Sequence, residues 1–237
     1  MNVNALRIKL FADGADLPGI LKLAELPYIK GFTTNPTLMR KAGITDYEKF
    51  ARQVLEKITD RPISFEVFSD EFPDMERQAR LIAGWGSNVY VKIPVTNTQG
   101  ESAANLVHKL SHDGLKLNVT ALMTNEQVRT VSTALRGGAA SIVSVFAGRI
   151  ADAGCDPIPM MREALNVLTE CPGAELLWAS PREVLNIVQA DQINCHIITA
   201  TSDILAKLGL LGKDLAEFSL DTVKMFYADA RAAGFSL

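Results

Sequence analysis

The chain lacks the marks of several protein classes. Its three cysteines, Cys155, Cys171 and Cys195, are widely spaced and form no CxxC pair. That favours free thiols in a reducing compartment over disulfides. No stretch approaches the ~18 apolar residues that a membrane-spanning helix needs. The opening residues Met1-Asn2-Val3-Asn4 have no basic segment leading into an apolar one. The expectation is therefore a soluble cytoplasmic protein with no membrane partner. Formal net charge is only −3, with both signs mixed along the chain, so there is no electrostatic footprint for nucleic acid. Low-complexity stretches, linkers and composition breaks are absent as well.

What is present is a dense apolar content, 48% of 237 residues, arranged as short strands alternating with helical patterns. Strands are expected at Arg7 to Ala12, Tyr28 to Thr34, Ile63 to Phe68, Asn88 to Pro94, Lys116 to Thr120, Ser141 to Phe146, Glu175 to Ala179 and Cys195 to Thr199. Helical patterns run over Leu17 to Leu26, Asp46 to Ile58, Pro73 to Trp85, Glu101 to Ser111, Thr124 to Leu135, Pro157 to Leu168, Pro181 to Ala190, Asp203 to Leu208 and Asp214 to Ala232. Thr124 and Gln127 have capping-box spacing, and Gly84 and Gly86 punctuate the end of the third helix. Strand–helix alternation implies a parallel sheet. Eight such units in this length fit an α/β fold, a single-domain TIM (β/α)8 barrel over residues 1–237 with a helical extension at 211–237. The alternative is an open doubly wound sheet. Its glycine fingerprint is missing after the first strand, where Phe11-Ala12-Asp13-Gly14-Ala15-Asp16 stands instead.

One residue breaks the apolar pattern inside a strand. Lys92 sits within Val89-Tyr90-Val91-Lys92-Ile93-Pro94-Val95. A lysine is seldom fully buried without a partner, and a desolvated amine is a nucleophile able to form a Schiff base with a carbonyl. The plain alternative is a strand-end lysine pointing at solvent. Chemistry in a TIM barrel gathers at the C-terminal strand ends, and polar residues collect there in this sequence. They are Asp13, Thr33 and Asn35, Glu66, Lys92, Asn118 and Thr120, Ser144, Ser180 and Thr199, with Arg149 and Arg182 just beyond their strands. Period-two spacing puts Asn118 with Thr120, Thr33 with Asn35, and Ser144 with Phe146 on shared faces. Such groups are costly in a sealed core and suit a wet barrel mouth. An amine, two carboxylates and an arginine pair able to clamp phosphate point to Schiff-base chemistry on sugar phosphates.

Two longer motifs sharpen this reading. Gly31-Phe32-Thr33-Thr34-Asn35-Pro36-Thr37-Leu38 resembles the transaldolase signature G-x-T-[ST]-N-P-[ST]. Val91-Lys92-Ile93-Pro94-Val95-Thr96, followed by Gly100, resembles that family's Schiff-base lysine signature. The resemblance extends from about Phe11 to at least Thr199. It implies that Lys92 forms the carbinolamine and then the Schiff base with a ketose. Asp13 would take the proton from the C4 hydroxyl as the C3–C4 bond breaks. Glu66 and Thr120 would position a water for proton shuttling. Asn35, Asn118 and Ser144 would hold the dihydroxyacetone unit, with Thr33 and Phe146 lining the same substrate site. Arg149, Ser180 and Arg182 would bind phosphate. No metal or organic cofactor is implied.

The family's small members include transaldolases and fructose 6-phosphate aldolases, and the aldolases typically carry Gln at the position of Glu66 and Tyr at that of Phe146. Glu66, Ser144 and Phe146 therefore resemble the transaldolase branch. The reaction implied joins sedoheptulose 7-phosphate and glyceraldehyde 3-phosphate to give erythrose 4-phosphate and fructose 6-phosphate. An aldolase releasing free dihydroxyacetone, a shifted sugar substrate and a non-catalytic sugar-phosphate-binding barrel are the alternatives. Pro181, between Ser180 and Arg182, departs from the pattern and removes a backbone N–H from the phosphate loop. His108 and His112 have i, i+4 spacing without a third ligand and read as a solvated helix face. Small family members form pentameric or decameric rings, so a homo-oligomer is implied. Leu215, Phe218, Val223, Phe226 and Tyr227 of the last helix would pack on a neighbour, or else on their own barrel.

Overall fold

In the computed structural model, which describes residues 3–235, eight parallel strands close into a barrel in the order β1 to β8. The elements run β1 (Lys9–Asp13), α1 (Leu17–Ala24), β2 (Ile29–Thr33), α2 (Pro36–Lys41), α3 (Tyr47–Lys57), β3 (Ile63–Glu66), α4 (Phe72–Ala83), β4 (Val89–Pro94), α5 (Ala104–His112) and β5 (Leu117–Leu122). They continue with α6 (Asn125–Leu135), β6 (Ser141–Val145), α7 (Ala147–Asp152), α8 (Pro157–Leu168), β7 (Ala174–Trp178), α9 (Val184–Gln192), β8 (Ile197–Thr201), α10 (Ser202–Leu205) and α11 (Leu215–Ala232). The closed sheet rules out the doubly wound alternative. Among the described residues no helix is long and apolar enough to cross a membrane.

Two apolar layers hold the barrel. The larger lies between the strands and the outer helices, where Leu10, Phe32, Phe65, Val91, Ile93 and Leu117 face helical residues such as Val54, Met75 and Leu110. The smaller fills the barrel interior with Phe11, Ile142, Leu177, Ala179 and Ile197, flanked by Tyr90 and Phe146. Phe11, Ile142 and Ile197 lie in the middle and N-terminal parts of their strands, whereas Leu177 and Ala179 sit at the C-terminal end of β7. The polar residues of the same inward faces lie toward the C-terminal rim. Gly31 lies against the plug, and a Cβ there would fall 2.5 Å from Phe11 Cζ.

Several elements differ from their sequence expectation. Arg7 and Ile8 precede β1, and both backbone N–H groups donate to Asp191 Oδ1, at 2.7 and 2.9 Å, rather than entering the strand. Two short helices, α2 and α7, begin where loops were expected. Asn35 caps α2 by accepting from the Leu38 N–H at 3.0 Å, and Pro36 takes its first position. The helix expected from Pro181 starts at Val184, because Ser180 takes a left-handed φ of 61° and turns the chain first. The helix expected from Glu101 starts at Ala104, after an antiparallel bridge between Thr96 and Ser102.

Candidate active site

A cavity of about 570 Å³ opens at the C-terminal ends of the strands. Every site residue expected from the sequence lines it: Lys92, Asp13, Glu66, Thr120, Thr33, Asn35, Asn118, Ser144, Phe146, Arg149, Ser180 and Arg182. Strand register explains the convergence. Glu66 pairs with Lys92, Lys92 with Asn118, and Asp13 with Thr33, all on parallel neighbours.

Lys92 is only 6% exposed, which overturns the solvent-facing alternative. Its Nζ donates to the Thr34 carbonyl at 2.8 Å and lies 3.0 Å from Glu66 Oε2. A buried ammonium requires such partners, since an unpaired one costs several kcal/mol. The carbonyl and the carboxylate hold the amine at the floor of the cavity.

Asp13 stands across the floor. Thr33 Oγ1 donates to Asp13 Oδ1 at 2.8 Å, and Thr199 Oγ1 lies 2.6 Å from Thr33 Oγ1. Thr33 has one hydroxyl proton, already given to Asp13, so Thr199 is the donor in that second bond. Burial pushes the Asp13 carboxyl above its ordinary range. Lys92 and the Thr33 bond pull it back, and Glu66 raises it further. A carboxyl so placed is a stronger base once ionised.

A second chain runs around the far wall. Asn118 Nδ2 donates to Ser64 Oγ at 3.0 Å, and Ser144 Oγ donates to Asn118 Oδ1 at 2.6 Å. The Asn118 amide is thereby fixed in one orientation. Thr120 lines the cavity, and its Oγ1 is buried without a hydrogen-bond partner. The register between β5 and β6 shifts just beyond Val119, and Ala121 adopts a φ of 65°. Such irregularities re-aim side chains at strand ends.

The rim over β6 and β7 carries the arginines. Arg149 lies 5.6 Å from the centre of the Phe146 ring. Arg182 forms a forked ion pair with Asp152, whose carboxyl is held below its usual range mainly by that bond. Gly148 lets α7 approach the β7–α9 loop, because a Cβ there would lie 1.5 Å from the Ser180 carbonyl oxygen. Pro181 is buried and, unlike Ser180 and Arg182, is not among the residues lining the cavity.

Residues 10–237 match the family described as Transaldolase/Fructose-6-phosphate aldolase. The chain belongs to that family. A probable transaldolase of Dehalococcoides mccartyi is 32% identical over 218 residues, 90% of this chain and 97% of that one. A probable transaldolase of Streptococcus equi subsp. zooepidemicus is 36% identical over 203 residues, 85% of this chain and 90% of its own. The crystal structure of 3-hexulose-6-phosphate synthase from Salmonella typhimurium superimposes with a TM-score of 0.58 at 14% identity, covering 84% of this chain and 91% of that one. That last likeness concerns the fold alone.

Sequence reasoning missed several contributors. Ser64, Tyr47 and the Thr34 carbonyl each bind a site residue, yet none sits at a strand end with a reactive group. His108 and His112 lie with ring centroids 4.0 Å apart on the exposed face of α5, and no group of three potential ligands for a metal occurs among the described residues.

Proposed function

We propose that this protein is a transaldolase that moves a dihydroxyacetone unit from sedoheptulose 7-phosphate to glyceraldehyde 3-phosphate through a Schiff base on Lys92. The observation that carries this reading is one buried amine, 3.0 Å from a carboxylate, facing a second carboxylate across a polar cavity. Lys92 passes a proton to Glu66 beside it and attacks the ketose C2 carbonyl; Glu66 returns that proton to the carbinolamine hydroxyl, which leaves as water to give the iminium. Asp13 removes the C4 hydroxyl proton. The C3–C4 bond breaks, the aldose leaves, and its electron pair passes into the iminium to give an enamine. The enamine adds to the acceptor aldehyde as Asp13 returns the proton. Water then hydrolyses the new Schiff base, with Glu66 and Thr120 holding it. Asn118 and Ser144 bind the retained hydroxyls, and Arg149 with Ser180 and Arg182 receives phosphate.

Phe146 bears no hydroxyl to protonate the enamine, which supports transfer over release. An assay with fructose 6-phosphate as donor, run with and without erythrose 4-phosphate, tests this. Turnover should require the acceptor; steady release of dihydroxyacetone without it would assign the aldolase reaction instead.

The chain is proposed to act as a single barrel domain assembled into a homo-oligomer through α11 of its C-terminal extension. No residue of α11 is buried, while Leu215, Val223, Phe226 and Tyr227 are 79%, 59%, 63% and 64% exposed. The helix therefore does not pack on its own barrel, and so much exposed apolar surface calls for a partner.

A further inference from the structure

Lys92 and Glu66 depend on a gap in the sheet. Up to Ser64 the rungs between β2 and β3 follow the parallel pattern: the Phe32 N–H donates to the Pro62 carbonyl at 2.9 Å, and the Thr34 N–H to the Ser64 carbonyl at 3.1 Å. The next rung of a parallel ladder would join the Glu66 N–H to the Thr34 carbonyl, and the N–H of residue 36 to the Glu66 carbonyl. Neither bond is made here. Residue 36 is proline and has no N–H. The Thr34 carbonyl instead accepts from Lys92 Nζ at 2.8 Å.

Tyr47, the first residue of α3, fills the gap. Its hydroxyl accepts from the Glu66 N–H at 2.7 Å and donates to the Glu66 carbonyl at 2.9 Å. One phenol thus replaces both halves of the missing rung. Its ring is held edge-on by Phe65, Phe68 and Trp85, with centroids 6.2, 5.3 and 5.5 Å away. Burial pushes the phenol's ionisation upward, so the hydroxyl keeps the proton it donates.

We propose that Tyr47 is a positioning residue of the reaction: by taking over the Glu66 backbone bonds it frees the Thr34 carbonyl for the Lys92 amine and fixes where the Glu66 carboxylate meets that amine. This rests on the Schiff-base role proposed above for Lys92. Without the hydroxyl, the Glu66 N–H would turn to the acceptor that a regular parallel ladder gives it, the Thr34 carbonyl. Lys92 would then share that carbonyl, and β3 would move relative to β4 just where the two reacting groups sit. Displacements of about 1 Å at such points cost on the order of 100-fold in rate.

The test compares wild type, Y47F and the control W85L, which loosens the same aromatic cluster without touching the hydroxyl. Turnover with fructose 6-phosphate and erythrose 4-phosphate is normalised to sites trapped by borohydride, so that unfolded protein is not counted. For Y47F we expect kcat to fall about 10- to 100-fold with KM changed less than about threefold. W85L, which keeps the Tyr47 hydroxyl and its two bonds, should lose thermal stability while kcat falls far less than in Y47F. Y47F with wild-type kcat per trapped site overturns the assignment, as does Y47F recovered only unfolded while W85L folds. Absence of a wild-type adduct at Lys92 overturns the Schiff-base function and the assignment with it; a normal wild-type adduct beside an unaffected Y47F overturns the positioning role alone.

Discussion

Gly31 carries a demand that the barrel geometry makes quantitative. A Cβ at this position would lie 2.5, 2.6 and 2.7 Å from Phe11 Cζ, Cε2 and Cε1. Non-bonded carbons rest at about 3.5–4.0 Å, so the ring would have to retreat by roughly 1 Å. Phe11 is 1% exposed and wedged among Ile142, Leu177, Ala179 and Ile197, so the retreat strains the whole plug. Overpacking of this kind costs about 1–3 kcal/mol. In a chain of this length that corresponds to a fall in Tm of about 2–12 °C. Gly31→Ala measured by thermal unfolding should show it. Phe11 also lies two residues before Asp13 on the same inward face, so kcat should fall with Tm. Adding Phe11→Leu makes room for the new methyl, and the double variant should be more stable than the two single losses summed, with a coupling of about 0.5–3 kcal/mol. A Gly31→Ala variant melting with wild type, or losses that simply add, would refute the argument that Phe11 dictates this glycine.

Three further outcomes follow from the same geometry. Burial raises the Asp13 carboxyl above its unfolded value, so ionising it opposes folding: stability is favoured below the unfolded value and lost as pH rises through the folded one. Asp13→Asn should therefore melt above wild type near neutral pH, an advantage that shrinks as the medium approaches about pH 4, while turnover is lost; a difference independent of pH would count against it. Gly148→Ala places a methyl 1.5 Å from the Ser180 carbonyl oxygen and must move the β7–α9 loop, the proposed phosphate site, so KM for sugar phosphates should rise about tenfold or more in steady-state assays, beyond any change in kcat. Phe226→Asp, on the exposed face of α11, should lower the mass of the assembly in light scattering; wild type running as a monomer would remove the proposed role of that helix.

The strand order and the lysine were legible because each rests on a local signal. Alternation of apolar strands with helices follows from burying both faces of a parallel sheet, and a charged residue in Val89–Pro94 stands out against that rule. Strand-end polar residues were legible for the same reason, and all of them line one cavity. The short helices α2 and α7 were not, because each begins where its strand ends and is too brief to show a helical period. Tyr47 escaped notice since its role depends on what Thr34 and Pro36 cannot give to Glu66, a relation visible only once β2 lies beside β3. Pro36, three residues past the end of β2, was the one clue to an unfilled rung. The ends of β1 and α9 shifted because Asp191 captures the Arg7 and Ile8 amides and Ser180 turns left-handed, both long-range or conformational effects.

The most direct test is borohydride reduction of the enzyme in the presence of fructose 6-phosphate, followed by peptide mass mapping. The account expects one covalent adduct, on Lys92, that is absent without sugar and absent in Lys92→Ala. No adduct, an adduct on another lysine, or full turnover by Lys92→Ala would contradict it.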